Sequence, residues 1–369
     1  MDVVVELDGV NHRFDDDDYR EMMHRWRFAY SELGGVPIHD RNRIIEADVR
    51  RINDECLLDG EGPRCPKSDD PKLRKVTLVC ETNILRMAFG QLRAIGRGKA
   101  AGMKAIAYRS VDFFEGRPVH ELSLGLAASL ATKDKTECGM PGTFYFAPGL
   151  AVAPPKNVQK WKYLKIVNGS HGLARQIKLH PDEPAMPQPG EARYDEDVWW
   201  LEKPPEYVVV EFPWSALETP LEGLPPHCVA VPFSPKHSFQ HALTKAQRST
   251  FAALSGGTKQ MHTIKIQRAN VPLICVEGVT GYGAQCLTME DGIVVQGTWL
   301  GNSYISASGP YTHMSRVRNF SKCVFLKDLR VDTVKKFGLD ADLVADWHRL
   351  QALKQATKLA HPIPEYGTA

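Results

Sequence analysis

Three long stretches of this chain contain no acidic residue: 82–110, 155–179 and 223–276. The 44 Asp and Glu that balance 46 Lys and Arg to a net +2 are crowded elsewhere, so the total rules out a wholly basic, histone-like binder while hiding strong local fields. No C-x-x-C pair occurs among the eight cysteines, at 56, 65, 80, 138, 228, 275, 286 and 323. Structural zinc is usually held by such close pairs, so no metal site is read. Several of these cysteines sit inside apolar runs, the placement of buried, reduced thiols in a reducing compartment. No apolar run approaches membrane-spanning length, and the first residues carry Asp2 and Glu6 in place of a basic leader. Nucleus or cytoplasm is the expected location, with no membrane partner. The length of 369 residues allows two compact domains.

What the acid-free stretches do contain is cationic. Arg86, Arg93, Arg97, Lys99, Lys104 and Arg109 fall in the first. Lys156, Lys160, Lys162, Lys165, Arg175 and Lys178 fall in the second, interleaved with Trp161 and Tyr163. Lys236, Lys245, Arg248, Lys259, Lys265 and Arg268 fall in the third. Solvated helix faces and lysine-protected edge strands account for such runs. Single-stranded nucleic acid accounts for them equally well, since phosphates take the charge and bases stack on the rings. Against them stands the acidic, proline-rich stretch 180–206, expected to be an exposed insertion anchored by Trp199 and Trp200.

Punctuation and periodicity place the elements. Asp15 to Asp18 precede a run with bases along it, which predicts a helix start complementing the helix dipole rather than a metal site. A second helix is expected over 45–53 and an exposed loop over 59–71. Next come a strand at 76–80 and a helix that Thr82 or Asn83 can cap. A helix is predicted over 119–132, strands over 144–146, 207–212, 228–231 and 261–268, and an amphipathic C-terminal helix from 340 to about 359. Asn168-Gly169 between apolar alternations predicts a tight hairpin. Short apolar runs at 271–276, 292–295 and 323–326 read as buried strands of a mostly parallel sheet, whose ligands sit at the strand-end rim.

Between those last three runs lie Thr280, Gly281, Tyr282, Gly283, Ala284, Gln285, Cys286, Leu287 and Thr288, then Tyr311 to Arg318 with Ser315-Arg316 at the centre. This order resembles motifs V and VI of superfamily 1 DNA helicases, specifically the Pif family. Residues 80–83 resemble its motif IV. Pro148 to Ile177 resembles the hairpin that opens its inserted barrel, and 45–53 its short helix with Asp48 and Asn53. Two positions depart from the pattern: Gly283 stands where lysine is usual and Cys286 where glycine is, which removes a cation from the cleft.

The resemblance implies an α/β fold, a RecA-like parallel sheet flanked by helices (the second helicase domain) with an inserted small SH3-like β-barrel. It implies a helical linker region at 1–74, the RecA-like domain in two parts at 75–153 and 269–331, the barrel at 154–268, and a C-terminal helix and tail at 332–369. It assigns Arg316 as the catalytic arginine that reaches the γ-phosphate, with Gln285 beside the nucleotide. Thr82, Asn83, Lys160, Trp161, Asn168, Thr280 and Thr288 are the implied contacts to single-stranded DNA.

A working helicase also needs G-x-x-x-x-G-K-[ST] and an acidic magnesium ligand on a neighbouring strand. The 369 residues contain no such phosphate loop, and Gly96 to Lys99 lacks its spacing. The resemblance therefore covers only the half of the family that follows motif III. ATP and magnesium are expected only where a separate or upstream ATP-binding domain supplies their site, and none with this chain alone, which is expected to be inactive as an ATP hydrolase. The alternative expectation is a catalytically dead nucleic-acid-binding or protein-interaction remnant.

Overall fold

The structure, a computed structural model, describes residues 14–132, 140–155, 163–215, 223–254, 262–281, 284, 288–296, 305–306, 308–339 and 341–360. The chain forms two compact units, Met1–Val79 with Gly281–Ala369, and Cys80–Thr280. It is mixed α/β, with a parallel sheet and flanking helices.

In the first unit the strand Ile293–Val295 is the middle of a parallel set. Thr77, Leu78 and Val79 pair with it on one side, and Cys323, Val324 and Phe325 on the other. These strands are short and apolar throughout because both of their faces are covered, as parallel sheets require. The helix Asp17–Arg27 begins where the acidic cluster predicts: the Asp16 side chain accepts from Tyr19 N at 3.0 Å, with Asp17 and Asp18 in the first turn and His24, Arg25 and Arg27 in the last. Tyr19, Met22, Met23 and Trp26 form its buried stripe.

The helix Arg41–Cys56 is longer at both ends than its sequence pattern indicates, and its two polar signature residues are structural. Buried Asp48 accepts from Arg25 Nε at 3.0 Å and Nη2 at 2.8 Å, and from the Tyr30 hydroxyl at 3.0 Å. Asn53 exchanges two hydrogen bonds with the Leu329 backbone, donating at 3.0 Å and accepting at 2.8 Å. The C-terminal helix Ala341–Ala360 forms, but without the amphipathic stripe expected of it: none of its described side chains is buried, and its Trp347 packs edge-on against Phe28 at 4.9 Å.

The second unit holds the helix Asn83–Ala100 and three sheets. One runs in the order Cys228–Pro232, Tyr207–Glu211, Gly172–Lys178, Ala151–Ala153, Ile274–Cys275, all antiparallel. A second sets Ser234–Ala242 against Thr263–Asn270, followed by Val111–Phe114 and Arg117–Pro118. The third centres on Ala105–Arg109, paired antiparallel with Thr143–Phe146 and parallel with Val198–Trp200. The acidic insertion is thus anchored as expected through its tryptophan pair, but as a sheet strand rather than a loose loop.

Three further expectations need correction. The run 271–276 does not join the parallel sheet: only Ile274–Cys275 is a strand, and it pairs antiparallel with Ala151–Ala153. Pro272 offers no N–H to a ladder, and Leu273 N turns back to Val271 O at 2.8 Å. The helix expected over 119–132 is two, Val119–Leu122 and Leu124–Ala131, because Ser123 is extended (φ −159°) and its hydroxyl caps Leu126 N at 3.2 Å. Asn168-Gly169 does turn, with Gly169 at φ 79°, but inside the connection 154–171 rather than at a two-residue hairpin. Ser170 closes it, its Oγ accepting from Val167 N at 2.9 Å.

Among the described residues no helix is long and apolar enough to cross a membrane, and no group of three His, Cys, Asp or Glu is placed to hold a metal. The six described cysteines are free thiols, five of them buried.

Candidate nucleotide and nucleic-acid site

The motif IV stretch begins a helix. Thr82 is extended (φ −120°, ψ 146°) and its hydroxyl accepts from Leu85 N at 3.4 Å, while Asn83 is the first helical residue; both side chains are half-buried. From this start Arg86, Arg93 and Arg97 follow at intervals of seven and four, which puts them on one helix face. Each of the three is held by a protein partner. Arg86 is buried, donates to Cys275 O at 3.0 Å, and desolvation lowers its pKa. Arg93 and Arg97 converge on Glu277, at 3.0 Å to Oε2 and 2.8 Å to Oε1. Glu277 also accepts from Ala151 N at 3.1 Å, so a carboxylate only 5% exposed is well satisfied. Gly90 permits the close packing behind it: a Cβ there would lie 3.0 Å from Cys275 Sγ.

Arg316 lies in the other unit. The helix Ser308–Met314 ends immediately before Ser315 and Arg316, and Tyr19 anchors that end by donating its hydroxyl to Met314 O at 2.6 Å. Arg316 is 5% exposed and donates to Ala284 O at 3.0 Å and to Ser315 Oγ at 2.7 Å. Its own carbonyl accepts from Met289 N at 2.7 Å. The turn that follows Thr280 and the arginine of the Ser315-Arg316 pair therefore meet through Ala284, the residue before Gln285. His313 completes the cluster. Burial, and then the neighbouring Arg316, push its pKa down to about 4, so the ring is neutral at physiological pH. A Cβ at Gly281 would lie 2.7 Å from His313 Nε2, so that position requires glycine.

The other sequence-assigned residues scatter. Thr280 ends the strand Gly278–Thr280 and is half-buried, Thr288 is exposed in a loop, and Asn168 is exposed in its turn. Lys160, Trp161 and Gln285, with the departures Gly283 and Cys286, lie outside the described residues. The structure brings Arg316 to the motif V turn, and places Thr82, Asn83, Thr280 and Asn168 within the second compact unit.

Sequence reasoning missed the two acids that organise the cationic stretches. Glu277 is the first acid after 223–276 and receives the arginines of the first stretch. Asp112 lies two residues beyond Ser110 and receives Arg268, which is fully buried, at 2.7 Å from Nε and 2.8 Å from Nη2. Arg268 also donates to the Leu130 carbonyl at 2.8 Å, so it clamps the core rather than facing a ligand. The available signal was position: an acid just beyond an acid-free stretch is the nearest available counter-ion.

Comparison with solved structures shows the fold. The fold is that of part of a Pif1-like helicase. Pif1 helicase from Candida albicans superposes with a TM-score of 0.50 at 15% identity, over 91% of this chain and 58% of that one. Bacteroides Pif1 bound to single-stranded DNA gives a TM-score of 0.50 at 11% identity, over 94% of this chain and 56% of that one. The chain thus spans somewhat over half the length of these helicases. No protein-family model and no curated protein matches its sequence.

Proposed function

We propose that this chain is the C-terminal half of a Pif-like DNA helicase. In this reading it supplies single-strand contacts and an arginine finger, Arg316, to an ATP and magnesium held by a separate or upstream ATP-binding domain. The observation that carries the reading is the hydrogen bond between Arg316 and Ala284, which joins the motif VI arginine to the motif V turn within a fold of that class. A guanidinium ordered by a carbonyl and a hydroxyl, beside a histidine kept neutral, is aimed in advance at a phosphate, which is how such arginines gain rate.

The RecA-like assignment extends to the parallel strands Thr77–Cys80, Ile293–Val295 and Cys323–Phe325. We assign the antiparallel strands Gly172–Lys178, Tyr207–Glu211 and Cys228–Pro232, within 154–268, to the inserted SH3-like barrel. Single-stranded DNA is the partner proposed for Thr82, Asn83, Lys160, Trp161, Asn168, Thr280 and Thr288, with Gln285 next to the nucleotide. Bacteroides Pif1 bound to single-stranded DNA supports that choice of partner.

The test supplies the ATP-binding half in trans and measures DNA-stimulated ATP hydrolysis with native chain and with Arg316→Ala. Stimulation that falls at least about a thousandfold in the variant is the expected result for an arginine finger. Gly283, standing where a lysine is usual, favours a second reading, a nucleic-acid-binding remnant without catalysis. Salt-sensitive binding of an oligothymidylate with no ATPase stimulation would select it.

A further inference from the structure

One buried carboxylate joins three elements of the second compact unit that carry proposed strand contacts. Thr82 and Asn83 start the helix Asn83–Ala100, and Thr280 ends the strand Gly278–Thr280. Asn168 stands in the connection that leaves Ala151–Ala153. All of these residues fall within Cys80–Thr280. Glu277, on the segment that leads into Thr280, is bonded to the other two elements.

On the helix side, Glu277 Oε2 accepts from Arg93 Nε at 3.0 Å and Oε1 from Arg97 Nε at 2.8 Å, while Arg86 reaches the same segment at Cys275 O, 3.0 Å away. One helix face is thus fixed along its length against residues 275–277. At the helix start, Cys80 Sγ lies 3.3 Å from Thr82 O and 3.5 Å from Val279 O, so the backbone beside Thr82 and the backbone beside Thr280 share one thiol. On the sheet side, Glu277 Oε1 accepts from Ala151 N at 3.1 Å, and Val276 N donates to Ala151 O at 3.0 Å. That strand ends at Ala153, and Pro154 O just beyond it accepts from Gly169 N at 3.1 Å, which ties down the turn carrying Asn168.

Glu277 is buried, and its own partners all lie inside the unit. A carboxylate held by two guanidinium groups and a backbone N–H has little freedom to shift, since moving it leaves a charge unpaired away from water. Helix, strand and sheet are therefore locked in one register. A nucleic-acid strand is a long ligand, so its contacts need fixed spacing rather than a common pocket, and a surface drawn from three elements works only while their register holds.

We propose that Glu277 is a positioning residue for single-stranded DNA: through Arg93, Arg97 and Ala151 it holds the elements bearing Asn83, Thr280 and Asn168 at fixed spacing, so that a strand meets all three together. This role rests on the strand contacts proposed above and adds to them a residue that does not touch the strand. The arginines that Glu277 holds serve geometry and are withheld from phosphate.

Equilibrium binding of a labelled oligothymidylate to the full chain, at a temperature where every variant is fully folded, tests it. Glu277→Gln keeps the side-chain shape but turns an amide N–H towards a guanidinium, and affinity is expected to fall about tenfold. Asn83→Ala and Asn168→Ala are each expected to cost about tenfold in the native background and about threefold or less beside Glu277→Gln, because a displaced contact has less to lose. The slope of log affinity against log salt should not change in Glu277→Gln, since no phosphate contact is removed. A second variant guards against a folding artefact: Arg93→Met, Arg97→Met and Glu277→Met together remove the charges and keep the packing. It should fold and still bind about tenfold more weakly, because the directional bonds are gone. The proposal is overturned if both variants bind like the native chain, or if the Asn83 and Asn168 effects add in full to that of Glu277→Gln. Tighter binding with a steeper salt slope in Glu277→Gln would also overturn it, by making Arg93 and Arg97 phosphate contacts that the carboxylate masks. No binding by the native chain would remove the strand reading itself, and this role with it.

Discussion

Arginine is buried in both compact units, but on different terms. On the helix Asn83–Ala100, Arg93 and Arg97 close on the Glu277 carboxylate, while Arg316 is placed by the Ala284 carbonyl and the Ser315 hydroxyl beside a neutral histidine. A charge pair explains itself: a carboxylate taken out of water must meet cations, here the half-buried Arg93 and Arg97, and the structure gains a fixed helix position in return. The guanidinium of Arg316 is held in direction by a carbonyl and a hydroxyl. The difference teaches which cations of an acid-free sequence are candidates for a ligand. Those with an acid waiting just beyond the stretch are interior clamps.

The sharpest way to break this distinction is at Glu277. Glu277→Ala strands Arg93 and Arg97 without their carboxylate, and urea unfolding should show a loss of about 3–5 kcal/mol. Replacing all three by neutral residues of similar volume should recover most of that loss. A Glu277→Ala chain as stable as the native one would mean that these arginines do reach solvent, and the first cationic stretch would return as a binding surface.

The Arg316 cluster should respond to pH instead. The His313 pKa of about 4 in the folded chain is below its ordinary value of 6.5, so the folded state favours the neutral ring. The stabilisation is fully present above pH 6.5 and is lost as the pH falls from 6.5 towards 4, at about 1.4 kcal/mol per pH unit and about 3 kcal/mol in all. In His313→Asn that dependence should vanish from the stability profile between pH 6.5 and 4. Persistence of the full slope in the variant would show that another group carries it. Gly281→Ala probes the same cluster sterically. Its Cβ would fall 2.7 Å from His313 Nε2, and a cost of about 1–3 kcal/mol is expected, largely relieved when His313→Ala is added.

Much of the framework was legible beforehand because local chemistry determines it. Asp16 to Asp18 announce a helix start, Thr82 announces another, and the apolar runs at 292–295 and 323–326 read as buried strands, which form over Ile293–Val295 and Cys323–Phe325. The pairing expected for Arg316 was with the turn at Gln285, which lies outside the described residues; the contact the structure describes is with Ala284, one residue before it. What sequence could not supply was partner choice at long range. Arg268 and Asp112 are separated by 156 positions, and Arg97 and Glu277 by 180, so no local pattern joins them. The run 271–276 failed for the opposite reason: its hydrophobicity was right, but Pro272 and the turn at Leu273 redirected it to an antiparallel partner. An apolar run reports burial and leaves the choice of sheet open.

The smallest expected effect concerns Thr82, where one side chain carries two assignments. Its hydroxyl accepts from Leu85 N at 3.4 Å, which satisfies one of the free N–H groups of the helix that positions Arg86, Arg93 and Arg97. Removing such a cap costs about 1 kcal/mol, so Thr82→Ala should lower stability by that amount, while Thr82→Ser keeps the oxygen and should be close to neutral. Strand contact, the second assignment, makes a separate demand. If Thr82 touches DNA, the alanine variant should lose affinity for an oligothymidylate at a temperature where it is still fully folded, and serine should restore it. A loss of stability with unchanged affinity would confine Thr82 to the helix start and leave nucleic-acid recognition to the other strand contacts.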